Sequence, residues 1–222
     1  MSGRVGSITT GIISDGLVLN LDPANRASYV PNATTTFNTI DSSLSGSLIN
    51  GTAFTENPKI WSFDGSDDYI NLGDHYGYDN GTIAFWMKST QSGYAIVMTK
   101  SKLGTNAGEW KMYQNSNMHF ELESSSGTKT LNSNGSVRDG NWHYIAATFQ
   151  DMKMYVDGVI QGDTDTSDTG ITVTGVDVNI GRNNATGGNV WQGEIGGVHI
   201  YNRILSANEV LHNYNAMKGR FE

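Results

Sequence analysis

The stretch WHYIAATFQDMKMYVDGVI, residues 142–160, decides the fold class. Trp142 to Phe149 is rich in aromatic and β-branched residues, and Met152 to Val156 repeats that character after only Gln150 and Asp151. Asp157-Gly158 then separates Val156 from Val159, and an Asp-Gly pair between β-prone segments is the strongest short-range hairpin signal. Both residues tolerate the positive φ that a two-residue turn needs. The reading is a meander of antiparallel strands.

Working outward, strand signals recur about every ten residues. IWSF at 60–63, YINL at 69–72, TIAFWMK at 82–88, YAIVMT at 94–99, EWKMYQ at 109–114 and MHFELE at 118–123 lie upstream. DVNIG at 177–181, VWQGEI at 190–195 and GVHIYN at 197–202 lie downstream. That spacing predicts a sandwich. Near the N-terminus, GLVLNL at 16–21 alternates Leu17, Leu19 and Leu21 against Val18 and Asn20, the period of a half-buried strand. Phe85 and Trp86 must face opposite sides of one strand. Gly196 and Gly197 predict a bulge or a close backbone approach. Residues 22–58, dominated by Asn, Thr, Ser and Gly, read as long surface loops around short paired segments. Ser206 and Glu209 form a capping box ahead of Val210, Leu211, Tyr214 and Met217, which predicts one short C-terminal helix. The fold class is all-β, two antiparallel sheets in a sandwich with that helix. Residues 1–14 read as an extended arm and 15–222 as one domain.

Composition narrows the function classes. The 222 residues carry 14 Lys plus Arg against 22 Asp plus Glu, a formal charge of −8. No segment concentrates basic residues, so nucleic acid and anionic membrane are excluded as expected partners. The absence of cysteine removes disulfides, thiolate metal sites and a cysteine nucleophile. MSGRVGSITTGIISDG at 1–16 has no apolar run of a secretory signal, and no stretch approaches the roughly 18 apolar residues of a membrane span. The expectation is synthesis in the producer's cytoplasm followed by incorporation in a particle or release outside the cell.

Seven segments in order resemble the concanavalin A-like lectin and glucanase superfamily, in its laminin-G-like and pentraxin-like branch. They are GLVLNLDPANRASY at 16–29, WSFDGSDDYINLG at 61–73, GTIAFWMKS at 81–89, GNWHYIAATF at 140–149, MKMYVDGV at 152–159, VNIGRNN at 178–184 and GEIGGVHIYNRILSANEV at 193–210. The resemblance implies a jelly-roll of two sheets. The opening DGLVLNLDPANRASY after a short polar arm is also similar to modules of tailed-phage structural proteins. That likeness implies a virion component such as a capsid decoration or tail protein.

Catalysis is not expected. The glucanases of the superfamily carry E-x-D-x-x-E on one strand, and no such run exists in this chain. Glu121 and Glu123 share a strand face and read as solvated outer positions. The five histidines lack metal-ligand spacing, and no serine sits in a GxSxG elbow. For carbohydrate, stacking needs an exposed aromatic ring flanked by polar groups. The candidates are Tyr76, Tyr78, Tyr94, Trp110, Asn183 and Trp191, against a plainer alternative in which Trp110 and Trp191 pack inside and Tyr76 and Tyr78 cover a strand end. For metal, the resemblance points to calcium at the sandwich rim through Asp64 and Glu194, with Asp67 beside them. Gly193-Glu194-Ile195-Gly196-Gly197 departs from the family's GxIDEV by lacking the acidic pair after isoleucine. The competing reading has Asp64 and Asp67 making Asx turns. The acidic loop DTDTSD at 163–168 matches no EF-hand. The functional expectation is a non-enzymatic binding module: a virion-associated protein docking on a capsid or tail protein, or a free carbohydrate-binding lectin for cell-surface glycans, with a hydrolase relative third. Homo-oligomerisation stays open.

Overall fold

The computed structural model describes residues 11–78, 80–101, 109–124, 127–164, 175–183 and 186–221. In chain order the strands are β1 (Leu17–Leu21), β2 (Thr35–Phe37), β3 (Ser45–Ile49), β4 (Ala53–Glu56), β5 (Lys59–Asp64), β6 (Tyr69–Asn71), β7 (Thr82–Lys88) and β8 (Ala95–Lys100). They continue as β9 (Glu109–Gln114), β10 (Asn117–Ser124), β11 (Gly127–Ser136), β12 (His143–Thr148), β13 (Lys153–Val156), β14 (Val159–Thr164), β15 (Asn179–Ile180) and β16 (Gln192–Tyr201). One helix, α1 (Ala207–Met217), follows. Among the described residues these make two antiparallel sheets of eight strands, the jelly-roll sandwich. The first sheet runs β14-β13-β12-β7-β16-β5-β4 with β1 also on β16; the second runs β11-β10-β9-β8-β15-β6-β3-β2.

The meander at 142–160 forms as read. Ile145 to Thr148 pair with Lys153 to Val156, and Val156 faces Val159 across Asp157-Gly158, both at positive φ (52° and 79°). The core lies between the sheets, where Phe85, Ile145, Phe120, Met112 and Ile195 meet. Phe85 belongs to this core while Trp86 points the other way, into a second cluster with Tyr144, Tyr201, Val210 and Met217. That cluster exists because α1 covers the outer face of the first sheet. Hence IAFWM is apolar throughout rather than alternating: β7 is buried on both sides.

α1 starts as its sequence dictates. Ser206 accepts from the Glu209 amide, and the Glu209 carboxylate accepts from the Ser206 amide at 2.8 Å. Arg203 holds the same carboxylate through both terminal nitrogens, 2.7 and 3.1 Å. Val210, Asn213 and Met217 form the buried stripe.

Three features differ from the sequence reading. VWQGEI and GVHIYN are one strand, β16, interrupted by a register shift between Ile195 and Val198 at the two glycines. β11 occupies GTKTLNSNGS, whose Gly, Ser and Asn content hides a strand that pairs with β10 along its length. Residues 11–14 are not a free arm: Ile12 and Ile13 pack on the helix-side cluster, the Ile13 amide donates to Asn213 (2.8 Å), and the Tyr201 hydroxyl donates to the Ile13 carbonyl (3.0 Å). Residues 1–10 of the expected arm, and most of the acidic loop at 163–168, lie outside the described residues.

Candidate functional site

α1 covers the outer face of the first sheet; on the second sheet the outward side chains of β9 and β10 reach solvent in part. Strand alternation sends Trp110, Met112, Met118, Phe120 and Leu122 into the core. The intervening residues Lys111 and Tyr113 of β9, and His119, Glu121 and Glu123 of β10, therefore face out. The hairpin register pairs Tyr113 with His119 and Lys111 with Glu121. Tyr94, just before β8, leans over the same face.

The rings form a row. Tyr94 lies 4.7 Å from Tyr113, tilted by 41°, and Tyr113 lies 4.5 Å from His119, 3° from parallel. Both faces of Tyr113 are thereby covered. Tyr94, 41% exposed, ends the row and keeps a free ring surface. Beside the row, the Lys111 ammonium donates to Glu121 at 3.1 Å and also to Glu123. The side chains of Lys111, Glu121 and Glu123 are 15%, 16% and 19% exposed. Glu121 and Glu123 do face outward as expected, but they are largely enclosed and ion-paired rather than solvated.

The electrostatics follow from this enclosure. Burial disfavours the Lys111 cation, yet its hydrogen bonds to Glu123 and Glu121 outweigh that and hold its pKa above the ordinary lysine value. Burial, then the Glu121 charge, pushes the Tyr113 phenol up to about 12, and the same two causes raise Tyr94. Burial lowers the His119 pKa, against a hydrogen bond with Asn132. At neutral pH the row carries neutral rings beside two carboxylates sharing one ammonium. Such a surface offers a stacking face and fixed hydrogen-bond groups next to it.

Of the sugar candidates from sequence, only Tyr94 lies here. Trp110 is 1% exposed and stands edge-on to Phe149, and Trp191 is fully buried against Phe63. Neither indole has a face open to a ligand, as the plainer alternative held. Tyr76 is 6% exposed at a left-handed φ of 61°. The loop holding it is tied down by buried Lys100, which donates to Asp74 (2.6 Å) and to the carbonyls of His75 (3.2 Å) and Val176 (2.7 Å). Tyr78 packs its ring on the core, and Asn183 is 7% exposed in a turn closed by its amide on the Gly188 carbonyl. The residues that sequence reasoning missed are Lys111, Tyr113 and His119. The signal was there: they alternate with core residues on two adjoining segments, and assigning that hairpin's register would have aligned them.

The carboxylates of Asp64, Asp67 and Asp68 come within 4.8 Å of one another, Asp68 being buried. Burial raises the Asp68 pKa, and the charges of Asp64 and Asp67 add to it, against a hydrogen bond from the Asp64 amide. Asp64 accepts from the Ser66 amide at 2.7 Å, the Asx turn of the competing reading. Three hard oxygen donors suit calcium by type, and these are the residues that would hold it. Glu194 is not among them: it is 3.5 Å from Lys88. On the sandwich edge between β3 and β4, a cleft of about 350 Å³ is lined by Tyr29, Leu48, Thr52 and Phe54 among others.

A laminin G model described as the concanavalin A-like lectin/glucanases superfamily matches residues 64–211. No curated protein matches the chain. Among solved structures, the chain is similar to the binding domain of Paraclostridial Mosquitocidal Protein 1, with a TM-score of 0.71 and 14% identity over 90% of this chain and 52% of that one. The botulinum neurotoxin serotype D binding domain gives 0.69 and 17% over 90% and 52%. A botulinum neurotoxin type C structure, described as depending for cell entry on interaction with two ganglioside molecules, gives 0.69 and 14% over 91% and 51%. The chain thus spans about half the length of these relatives.

Proposed function

We propose, for a chain that belongs to the concanavalin A-like lectin/glucanases superfamily, non-catalytic recognition of carbohydrate on a cell or particle surface through Tyr94 and the outward side chains of β9 and β10. The observation that carries this reading is Tyr94: an exposed ring, braced by Tyr113 and His119, beside Lys111, Glu121 and Glu123. A pyranose stacks its C–H face on such a ring while neighbouring polar groups fix its hydroxyls. Bracing matters because a ring already immobilised loses little entropy on binding. Binding rather than hydrolysis is supported by the want of an E-x-D-x-x-E strand in the chain and by Lys111, which ties Glu121 and Glu123 into an ion-paired cluster. That structural relatives of the chain are binding domains points the same way.

Display on a virion remains part of the proposal. Residues 11–15 and α1 lie on the first sheet's side, so attachment through them leaves the Tyr94 face open. The test is a glycan array run in calcium and again in chelator, followed by titration of the best ligand into wild type and Tyr94→Ala. Saturable binding lost in Tyr94→Ala is expected; a flat isotherm for wild type at millimolar glycan overturns the reading. Chelator sensitivity would bring Asp64, Asp67 and Asp68 into the site's support.

A further inference from the structure

We infer that the Tyr94 surface is selective for uncharged sugars and discriminates against acidic ones, an inference that rests on the carbohydrate reading above. Among the described residues, the polar side of the row holds Glu121 and Glu123 against a single contacting cation, Lys111. Ionised carboxylates only accept hydrogen bonds, so they fit sugar hydroxyls, which donate. The ionised group of a sialic acid, uronate or sulfate brings acceptors and no donor. It would also bring a negative charge to two carboxylates whose shared ammonium is already engaged.

The enclosure makes this repulsion effective. Side chains exposed by 15% to 19% are poorly screened, and they are held by each other rather than free to swing away. Other basic residues of the sheet are placed elsewhere. Lys129 lies opposite Leu122, a residue that faces the core, so strand alternation directs it away from the row. The Arg182 guanidinium lies 3.4 Å over the ring of Tyr69 on β6, separated from β9 by β8 and β15. His119 stays neutral because burial lowers its pKa. Among the described residues, the row's own charge is therefore two carboxylates against one ammonium.

The experiment prints each neutral oligosaccharide beside its sialylated, sulfated and uronate-bearing counterparts, at physiological salt. The expected result for wild type is binding of neutral members with acidic counterparts weaker by about tenfold or more. Glu121→Gln with Glu123→Gln keeps shape and is expected to shrink that gap to about threefold or less. Acidic glycans bound as well as or better than neutral ones overturns the inference while leaving the carbohydrate reading intact. Silence across the array overturns the carbohydrate reading and this inference with it. The unfolding midpoint of the double variant is measured alongside; if it fails to fold, Glu123→Gln alone must narrow the gap, and an unchanged gap there counts against the inference.

Discussion

Tyr113 and His119 stand opposite one another on β9 and β10 with their rings 4.5 Å apart and 3° from parallel. This stack covers one face of each ring and makes the pair the support for Tyr94. The two tyrosines should therefore respond differently to truncation. Tyr94→Ala is expected to abolish glycan binding and cost about 1 kcal/mol or less, since its ring packs on Tyr113 and is 41% exposed. Tyr113→Ala should lose binding and also about 1–2 kcal/mol, because an aromatic sandwiched between two rings contributes beyond its area. Calorimetric titration and denaturant unfolding read the two effects; equal destabilisation by both variants would contradict this division of labour.

Gly196 is where β16 passes under the chain's end. A Cβ there would stand 2.5 Å from Phe221 Cζ, 2.6 Å from Phe221 Cε1 and 3.0 Å from Trp86 Cβ. Phe221 is stacked on Trp86 at 4.6 Å and cannot move without uncovering it. Gly196→Ala should cost about 1–3 kcal/mol and expose Trp86 to quenchers of indole fluorescence. Unchanged quenching and midpoint would mean that the turn after α1 yields freely.

Acid should weaken the fold through His199. The residue is 1% exposed beneath the end of α1, its Nδ1 has no hydrogen-bond partner among the described residues, and burial pushes its pKa down to about 4, with Asp22 opposing and Arg220 assisting. The unfolded chain takes up this proton first, at about 6.5. Its contribution is complete above pH 6.5, falls as pH drops from there to about 4, and amounts to roughly 3 kcal/mol. Melting curves across this window should show that loss, and His199→Leu should remove most of it; His119, lowered in the same direction, leaves a remainder. An acid limb identical in the variant would exclude His199 as its source.

His143 has the opposite sign. Its hydrogen bond to Asp157 (2.8 Å) raises its pKa against burial, with Asp139 adding from the other nitrogen at 3.1 Å. Its stabilisation is therefore present below pH 6.5 and lost as pH rises through the raised folded value. Asp157 also accepts from the Tyr144 amide and holds a positive φ. Asp157→Asn should keep the turn and lower the His143 pKa, observed by NMR titration. Asp157→Ala should cost about 1–3 kcal/mol by losing both the bond and the tolerated φ. A His143 titration unmoved by Asp157→Asn would show that Asp139 alone sets it.

Strands with apolar character were readable because their own residues announce them: the 142–160 meander, β7, β9, β10 and the capped helix all sit where period and turn chemistry put them. β11 was not, since GTKTLNSNGS takes its strand conformation from pairing with β10 rather than from intrinsic preference. The site was legible in part. Tyr94 was named and Glu121 and Glu123 were weighed, but Trp110 and Trp191 were named as well, for a surface they do not reach. Residue type alone does not distinguish an aromatic that faces a ligand from one that faces the core.

By itself, then, the sequence determined the class of fold, the hairpin at Asp157-Gly158, the bulge at Gly196-Gly197 and the start of α1, because each depends on neighbours along the chain. Tertiary structure alone decided which residues meet on each face. α1 closes the outer side of the first sheet, and the β9–β10 register brings Lys111 to Glu121 and Tyr113 to His119. Those pairings join strands in space, and the choice between core and surface for an aromatic is made by what packs across from it, which no local pattern encodes.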